Sequence, residues 1–181
     1  MNNIIILEYN FSHQPYFEKF NRDWIEKYFT MEPVDEFVLT NPEEAILKPG
    51  GAILMAEYGG EIAGTAALRK IDAYTYEFTK MAVDERFRRR GIAERLCYAS
   101  FDKAKELVAK TIILYSNTKN VAAILMYEKI GFRHLKVEPG VYKRANIKMM
   151  IDIDDVMQPV TFNPLFKESS SRNFILNEQN L

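Results

Sequence analysis

The chain has 181 residues, 48% hydrophobic and 27% charged, which fits one globular domain with a sizeable core. Its 24 basic and 25 acidic residues leave a formal charge of -1, a balance that argues against a life spent neutralising nucleic-acid phosphates. A single cysteine, Cys97, excludes an intramolecular disulfide and a Cys-rich metal site, and His13 and His134 lie far apart without ligand spacing, so no metal is expected.

Ile4 to Tyr9 reads as a first strand. Its apolar run, Ile4 to Leu7, has no basic region before it and is too short for a signal peptide or a membrane span, so a cytoplasmic protein away from membranes is expected. From His13 to Phe29, the residues Phe17, Phe20, Trp24, Ile25 and Tyr28 recur at helical spacing. A second helical stretch starts near Pro33. Asn41-Pro42-Glu43-Glu44 then resembles a helix start, with a capping residue, a proline at the first position and acids in the first turn.

Ala52 to Tyr58 and Glu61 to Arg69 are apolar strands joined by Gly59-Gly60, a two-residue hairpin signal, and Thr75 to Val83 is a third strand of this group. A helix follows over Ile92 to Ala109, with Ile92, Leu96, Ala99, Lys103 and Leu107 along one side. Thr111 to Tyr115 is a short apolar strand of buried type. Lys119 to Ile130 is a helix stopped by Gly131, and Arg133 to Glu138 with Asn146 to Ile153 form a closing antiparallel pair. The order implies a single α+β (mixed α/β) domain over residues 1–157, with helices on both faces of a mostly antiparallel twisted sheet. Residues 158–181, rich in Pro, Ser and Asn, read as an irregular tail or one docked on the body.

The most informative stretch runs from Lys80 to Leu96. A strand passes into a short loop, and Gly91 opens a long helix. The first turn of a helix has unpaired backbone N–H groups and the positive end of the helix dipole, which together suit a pyrophosphate. Gly91 would keep the approach free of a side chain, Ala93 keeps the next turn small, and Arg88, Arg89 and Arg90 can add charge-assisted hydrogen bonds. The same Arg run also admits a solvated basic surface or an RNA-contacting patch.

This stretch resembles the acetyl-CoA signature of the GCN5-related N-acetyltransferase superfamily, Gln/Arg-x-x-Gly-x-Gly/Ala, as Arg88-Arg89-Arg90-Gly91-Ile92-Ala93. A second segment, from Asn120 through Ala123 and Tyr127 to Gly131-Phe132, is similar to the later motif Asn-x-x-Ala-x-x-x-Tyr-x-x-x-Gly-Phe. The two lie in the family's order, about 30 residues apart, with a strand between them. The resemblance implies transfer of an acetyl group from acetyl-CoA, a cosubstrate, to a small-molecule or peptide amine, with no metal and no nucleic-acid partner; a homodimer is left open. It implies that Met81, Ala82 and Val83 pair by backbone with the pantetheine arm, that Ile92 belongs to the cradle, and that Asn120 caps the last helix or touches CoA.

Such chemistry needs a deprotonated amine, a donor for the thioester oxygen and a proton for the departing thiolate. The resemblance gives these roles to Glu77 as a base through water, to a backbone N–H near Met81, and to Tyr127. With strict alternation, Glu77, Thr79, Met81 and Val83 share one face, and a bulge would change that. Each residue also has a structural reading: Tyr127 as a packed core residue, Glu77 as a cross-strand partner, Cys97 as a small core residue, the histidines as surface or loop residues. Tyr142 reads as either a border of the acceptor pocket or a β-turn residue. Glu26, Glu32, Asp35 and Glu36, near the first helices, suggest a cationic acceptor. A CoA-binding or sensing module without catalysis, acting through a protein partner, is the rival reading.

Overall fold

In the computed structural model, residues 3–138 and 142–156 are described. The tail expected over 158–181 lies outside them. Alternation in the central strands sorts side chains to two faces, and each face is covered by helices. In β2 (Ala52–Tyr58), Ile53 and Met55 join one cluster while Leu54 and Ala56 join the other. The first cluster is closed by Phe17 and Ile25 of α1 (Gln14–Tyr28) and Val38 and Leu39 of α2 (Pro33–Thr40). The second is closed by α3 (Ile92–Glu106) and by Tyr127 and Ile130 of α4 (Val121–Ile130). The buried stripe of α3 is Ile92, Leu96, Cys97, Ser100, Phe101 and Ala104, with Tyr98 beside it, so Cys97 is a core residue. Lys103 lies at the stripe's edge and pairs with Glu106 at 2.6 Å.

Among the described residues the sheet has seven strands. With β1 (Ile4–Glu8), β3 (Glu61–Lys70), β4 (Thr75–Val83), β5 (Thr111–Ser116), β6 (Arg133–Leu135) and β7 (Ile147–Asp152), the order is β1-β2-β3-β4-β5-β7-β6. Only β4 and β5 run parallel; every other neighbouring pair is antiparallel. The α+β expectation holds, with small shifts at element ends. The segment after Asn41 is a π-helical turn, Glu43–Leu47, rather than an ordinary helix start. It lies against Gly51, where a Cβ would stand 2.3 Å from the Leu68 carbonyl oxygen and 2.6 Å from that of Ile46. Only glycine fits that approach.

Two features of β4 create the site. First, its pairing with β5 stops after Thr75, Tyr76 and Glu77, while β5 continues along β7 to Ser116. The two strands therefore part, and the backbone edge of β4 beyond Glu77 is left without a partner on β5. Second, β4 carries a bulge. Thr79 to Ala82 on β4 spans the same ladder as Ala67 to Thr65 on β3, one residue longer, and Lys80 takes a left-handed φ of 51°. An odd insertion inverts the alternation. Strict alternation would have kept Glu77, Thr79, Met81 and Val83 on one face. Instead Met81 and Val83 pack toward the α3–α4 cluster, while Glu77 and Lys80 reach partners on the α1–α2 side.

Candidate active site

Gly91 is the N-cap of α3 with φ 80°, a conformation that carries a penalty for any L side chain, and an added Cβ there would meet nothing within 4 Å. The first bond into the helix from this end is Arg95 N–H to the Gly91 carbonyl at 3.0 Å. Because helical bonding starts there, the N–H groups of Ile92, Ala93 and Glu94 have no intrahelical acceptor. They open on a groove of about 380 Å³ lined by Val83, Arg88, Arg89, Gly91, Ala93, Met126 and Lys129, among others. Free donors, a helix dipole, three cations and open space in front of a glycine fit a pyrophosphate-bearing ligand. Glu94 also lines this groove, and Lys129 faces its carboxylate at 3.3 Å. Arg90 turns elsewhere, its guanidinium 5.2 Å from the Tyr58 ring centre and donating to the Tyr58 hydroxyl at 3.3 Å. Met81 and Ala82 lie on the unpaired length of β4 that leads to this groove.

A second cavity, of about 100 Å³, occupies the opening between β4 and β5. Because the strands part, it is lined from both faces of the sheet. Tyr127 and Asn120 come from the α4 side, Trp24 and Asn21 from α1, and Glu77, Lys80 and Met81 from β4. Tyr115, Tyr142 and Arg144 are among the other residues that line it. Asn120 is the N-cap of α4, but its side chain makes no capping bond and faces the cavity instead.

Tyr127 is 6% exposed, wedged edge-on between Phe78 (centroids 6.1 Å apart) and Phe132 (5.6 Å). Burial pushes its phenol far above the ordinary value of 10, so the hydroxyl keeps its proton. It is thus both a packed core residue and a wall of the cavity. Glu77, 1% exposed, lies directly across from Arg69 in the ladder and is ion-paired with it. Arg69 Nε donates to Glu77 Oε2 at 3.1 Å, and the Tyr142 hydroxyl donates to Oε1 at 3.0 Å. Burial and the Glu77 charge raise the Tyr142 phenol, which also stays protonated. Both readings of Tyr142 hold: it borders the cavity, and its carbonyl accepts the Ala145 N–H at 3.2 Å, closing a turn.

Two residues here, Lys80 and Arg144, escaped the sequence reading, which had named only the acids they pair with. Lys80 Nζ donates to Asp35 Oδ1 at 2.7 Å, and Arg144 grips the same carboxylate with Nη1 at 2.5 Å and Nη2 at 2.9 Å. Arg144 Nη1 also donates to Glu32 Oε1 at 3.0 Å. Asp35 is fully buried, and the Lys80 side chain is 4% exposed. Glu32 and Asp35 are therefore neutralised, and Glu36 pairs with Arg22 at 2.8 Å. None of the four acids near the first helices lines the cavity. A lysine in the interior of a mostly buried strand was the available signal for this cluster, since a buried ammonium needs a carboxylate. The histidines divide. His134 is an exposed residue paired with Glu128, whereas His13, 9% exposed, is buried and accepts the Asn10 backbone N–H at 3.1 Å, closing a capping box.

The model for the Acetyltransferase (GNAT) family matches residues 13–132, and the chain belongs to that family. The uncharacterized N-acetyltransferase YvbK of Bacillus subtilis is 28% identical over 116 residues, covering 62% of this chain and 75% of YvbK. A GNAT-family acetyltransferase from Staphylococcus aureus superposes with a TM-score of 0.75 at 24% identity, covering 83% of this chain and 99% of that one. A GNAT acetyltransferase from Elizabethkingia anophelis, solved with acetyl-CoA bound, superposes with a TM-score of 0.57 at 23% identity, covering 83% and 98%. Among the described residues, no helix is long and apolar enough to cross a membrane.

Proposed function

We propose that the chain acetylates the primary amine of a small-molecule or peptide acceptor, with both substrates held together in the opening between β4 and β5. Acetyl-CoA, when bound, supplies the acetyl group as an activated thioester. The observation that carries this reading is the parting of β4 from β5. It brings Tyr127, from the α4 face, and Glu77, from the α1–α2 face, onto one cavity, while β4 leads on to the Gly91 groove.

In this arrangement, Arg88, Arg89, Lys129 and the free N–H groups of α3 hold the phosphates. The unpaired edge of β4 offers backbone donors and acceptors along its length, with a donor near Met81 for the carbonyl oxygen. Tyr127 holds a proton at its hydroxyl oxygen on the α4 side, ready for the departing sulfur. Glu77 stands on the acceptor side, and Arg69 and Tyr142 fix the orientation of its carboxylate. It accepts the amine's proton through a water, which an amine with a reference pKa near 10 must release before it attacks. The test is a screen of amines that follows thiol release from acetyl-CoA, with Tyr127→Phe beside the wild type. Turnover that the variant loses supports the reading. Tight acetyl-CoA binding with no turnover on any amine would point instead to a sensing module.

A further inference from the structure

The cavity between β4 and β5 is lined by cations whose partners stand outside its lining. Of its three charged lining residues, Lys80 and Arg144 are positive and only Glu77 is negative. Both oxygens of Glu77 already receive hydrogen bonds from the protein, from Arg69 and Tyr142. The acids that balance Lys80 and Arg144, Asp35 and Glu32, stand behind them and do not line the cavity.

The cations also have donors left over. Among the described residues, Lys80 makes one hydrogen bond, to Asp35, although an ammonium has further N–H groups. Arg144 makes three, and a guanidinium likewise has more than that to give. An ammonium that is 4% exposed has little water to satisfy it, so an acceptor-rich group in the cavity would complete its shell. The two cations flank one ring, with Lys80 Nζ 5.7 Å and Arg144 Cζ 5.2 Å from the centre of Tyr142, whose hydroxyl reaches Glu77. The cations and Glu77 thus meet the same side chain, which sets the anion-binding and proton-accepting groups side by side on one cavity.

We infer that the acceptor is an amine that carries its own carboxylate, as a free amino acid does, with the carboxylate held by Lys80 and Arg144 and the amine directed toward Glu77. This rests on the acetyl-transfer reading for the reaction, but not for the binding. Lys80 and Arg144 are specificity residues, and no proton passes through them. The bulge in β4 is what turns Lys80 into this position.

The sole tryptophan, Trp24, lines the same cavity and reports binding without turnover. N-acetylated amino acids and their C-terminal amides, in matched pairs with CoA present, are titrated against Trp24 fluorescence. At least one carboxylate is expected to bind tenfold or more tightly than its amide. Lys80→Met and Arg144→Gln should abolish that ratio, and Arg144→Lys should restore part of it. Each single variant leaves Asp35 one cation, and a retained thermal transition checks the fold. Amides that bind as well as carboxylates, no carboxylate binding across the panel, or a ratio that survives both variants would overturn the inference. Thiol release on the parent amines separates the two claims. Carboxylate-selective binding without turnover supports the cation site and contradicts the transferase reading. Turnover that favours the amides does the reverse.

Discussion

Asp35→Asn is the perturbation that most sharply tests the buried cluster beneath the cavity. The change keeps the side chain's shape and removes its charge. Asp35 is fully buried, with Lys80 Nζ at 2.7 Å and two Arg144 nitrogens at 2.5 and 2.9 Å. Removing one partner of such a group strands the others, and losses of about 3–5 kcal/mol are usual. For a domain of this size that corresponds to a fall of roughly 10 °C in Tm. The loss should also depend on pH. In the wild type, burial lowers the Lys80 pKa and Asp35 only partly pulls it back up; without Asp35, burial and the Arg144 charge lower it further, opposed by the Glu77 charge alone. A lysine with a folded pKa below its unfolded value binds fewer protons when folded, so stability of the variant rises with pH up to about 10.4. Adding Lys80→Met should recover much of the loss, because an apolar replacement removes the stranded charge. Thermal unfolding followed by circular dichroism, across pH 6 to 10, measures all three effects. A Tm within about 2 °C of the wild type in Asp35→Asn would refute the reasoning, since it would mean the cations are hydrated rather than buried.

In the wild type, burial would raise the Asp35 carboxyl, but hydrogen bonds and charge from Arg144 and Lys80 outweigh it and hold it below the ordinary 3.8. The stability from this pairing should be complete above that value and drain away as pH falls through the lower folded one, which acid unfolding of wild type and Asp35→Asn would show as convergence at low pH. Tyr127→Phe should lower kcat by about 100-fold or more, within the range for loss of a general acid, and leave acetyl-CoA affinity unchanged. Unaltered thiol release would remove Tyr127 from the chemistry. Gly51→Ala should cost about 2–3 kcal/mol, because its Cβ meets backbone oxygens that cannot swing away. A urea midpoint equal to the wild type would show that this loop yields.

The fold was largely legible because its punctuation is local. Gly59-Gly60 marks the hairpin, and Gly91 and Gly131, both with positive φ, mark a helix start and a helix end. The elements of the proposed cradle were legible for the same reason, since the strand, the Arg run, the glycine and the helix are contiguous. The cavity between β4 and β5 was not. Its central cluster joins Asp35, Lys80 and Arg144 across up to 109 positions, and no local pattern couples them. The bulge at Lys80 places a non-glycine residue at φ 51°, where composition carries no warning, and it moves Met81 and Val83 to the face opposite Glu77. The acids behind the cationic-acceptor expectation were visible in the sequence, but their partners Arg22, Lys80 and Arg144 were not, and none of those acids lines the cavity.

The central claim is that Gly91 and the first turn of α3 receive the phosphates of acetyl-CoA, and calorimetric titration with acetyl-CoA tests it directly. Wild type should bind at micromolar concentrations. Gly91→Glu, which forces a side chain into a left-handed position and adds a negative charge to the groove, should keep its fold by circular dichroism and lose at least tenfold in affinity. A folded variant that binds acetyl-CoA as tightly as the wild type, or a wild type that does not bind it at all, would contradict the account.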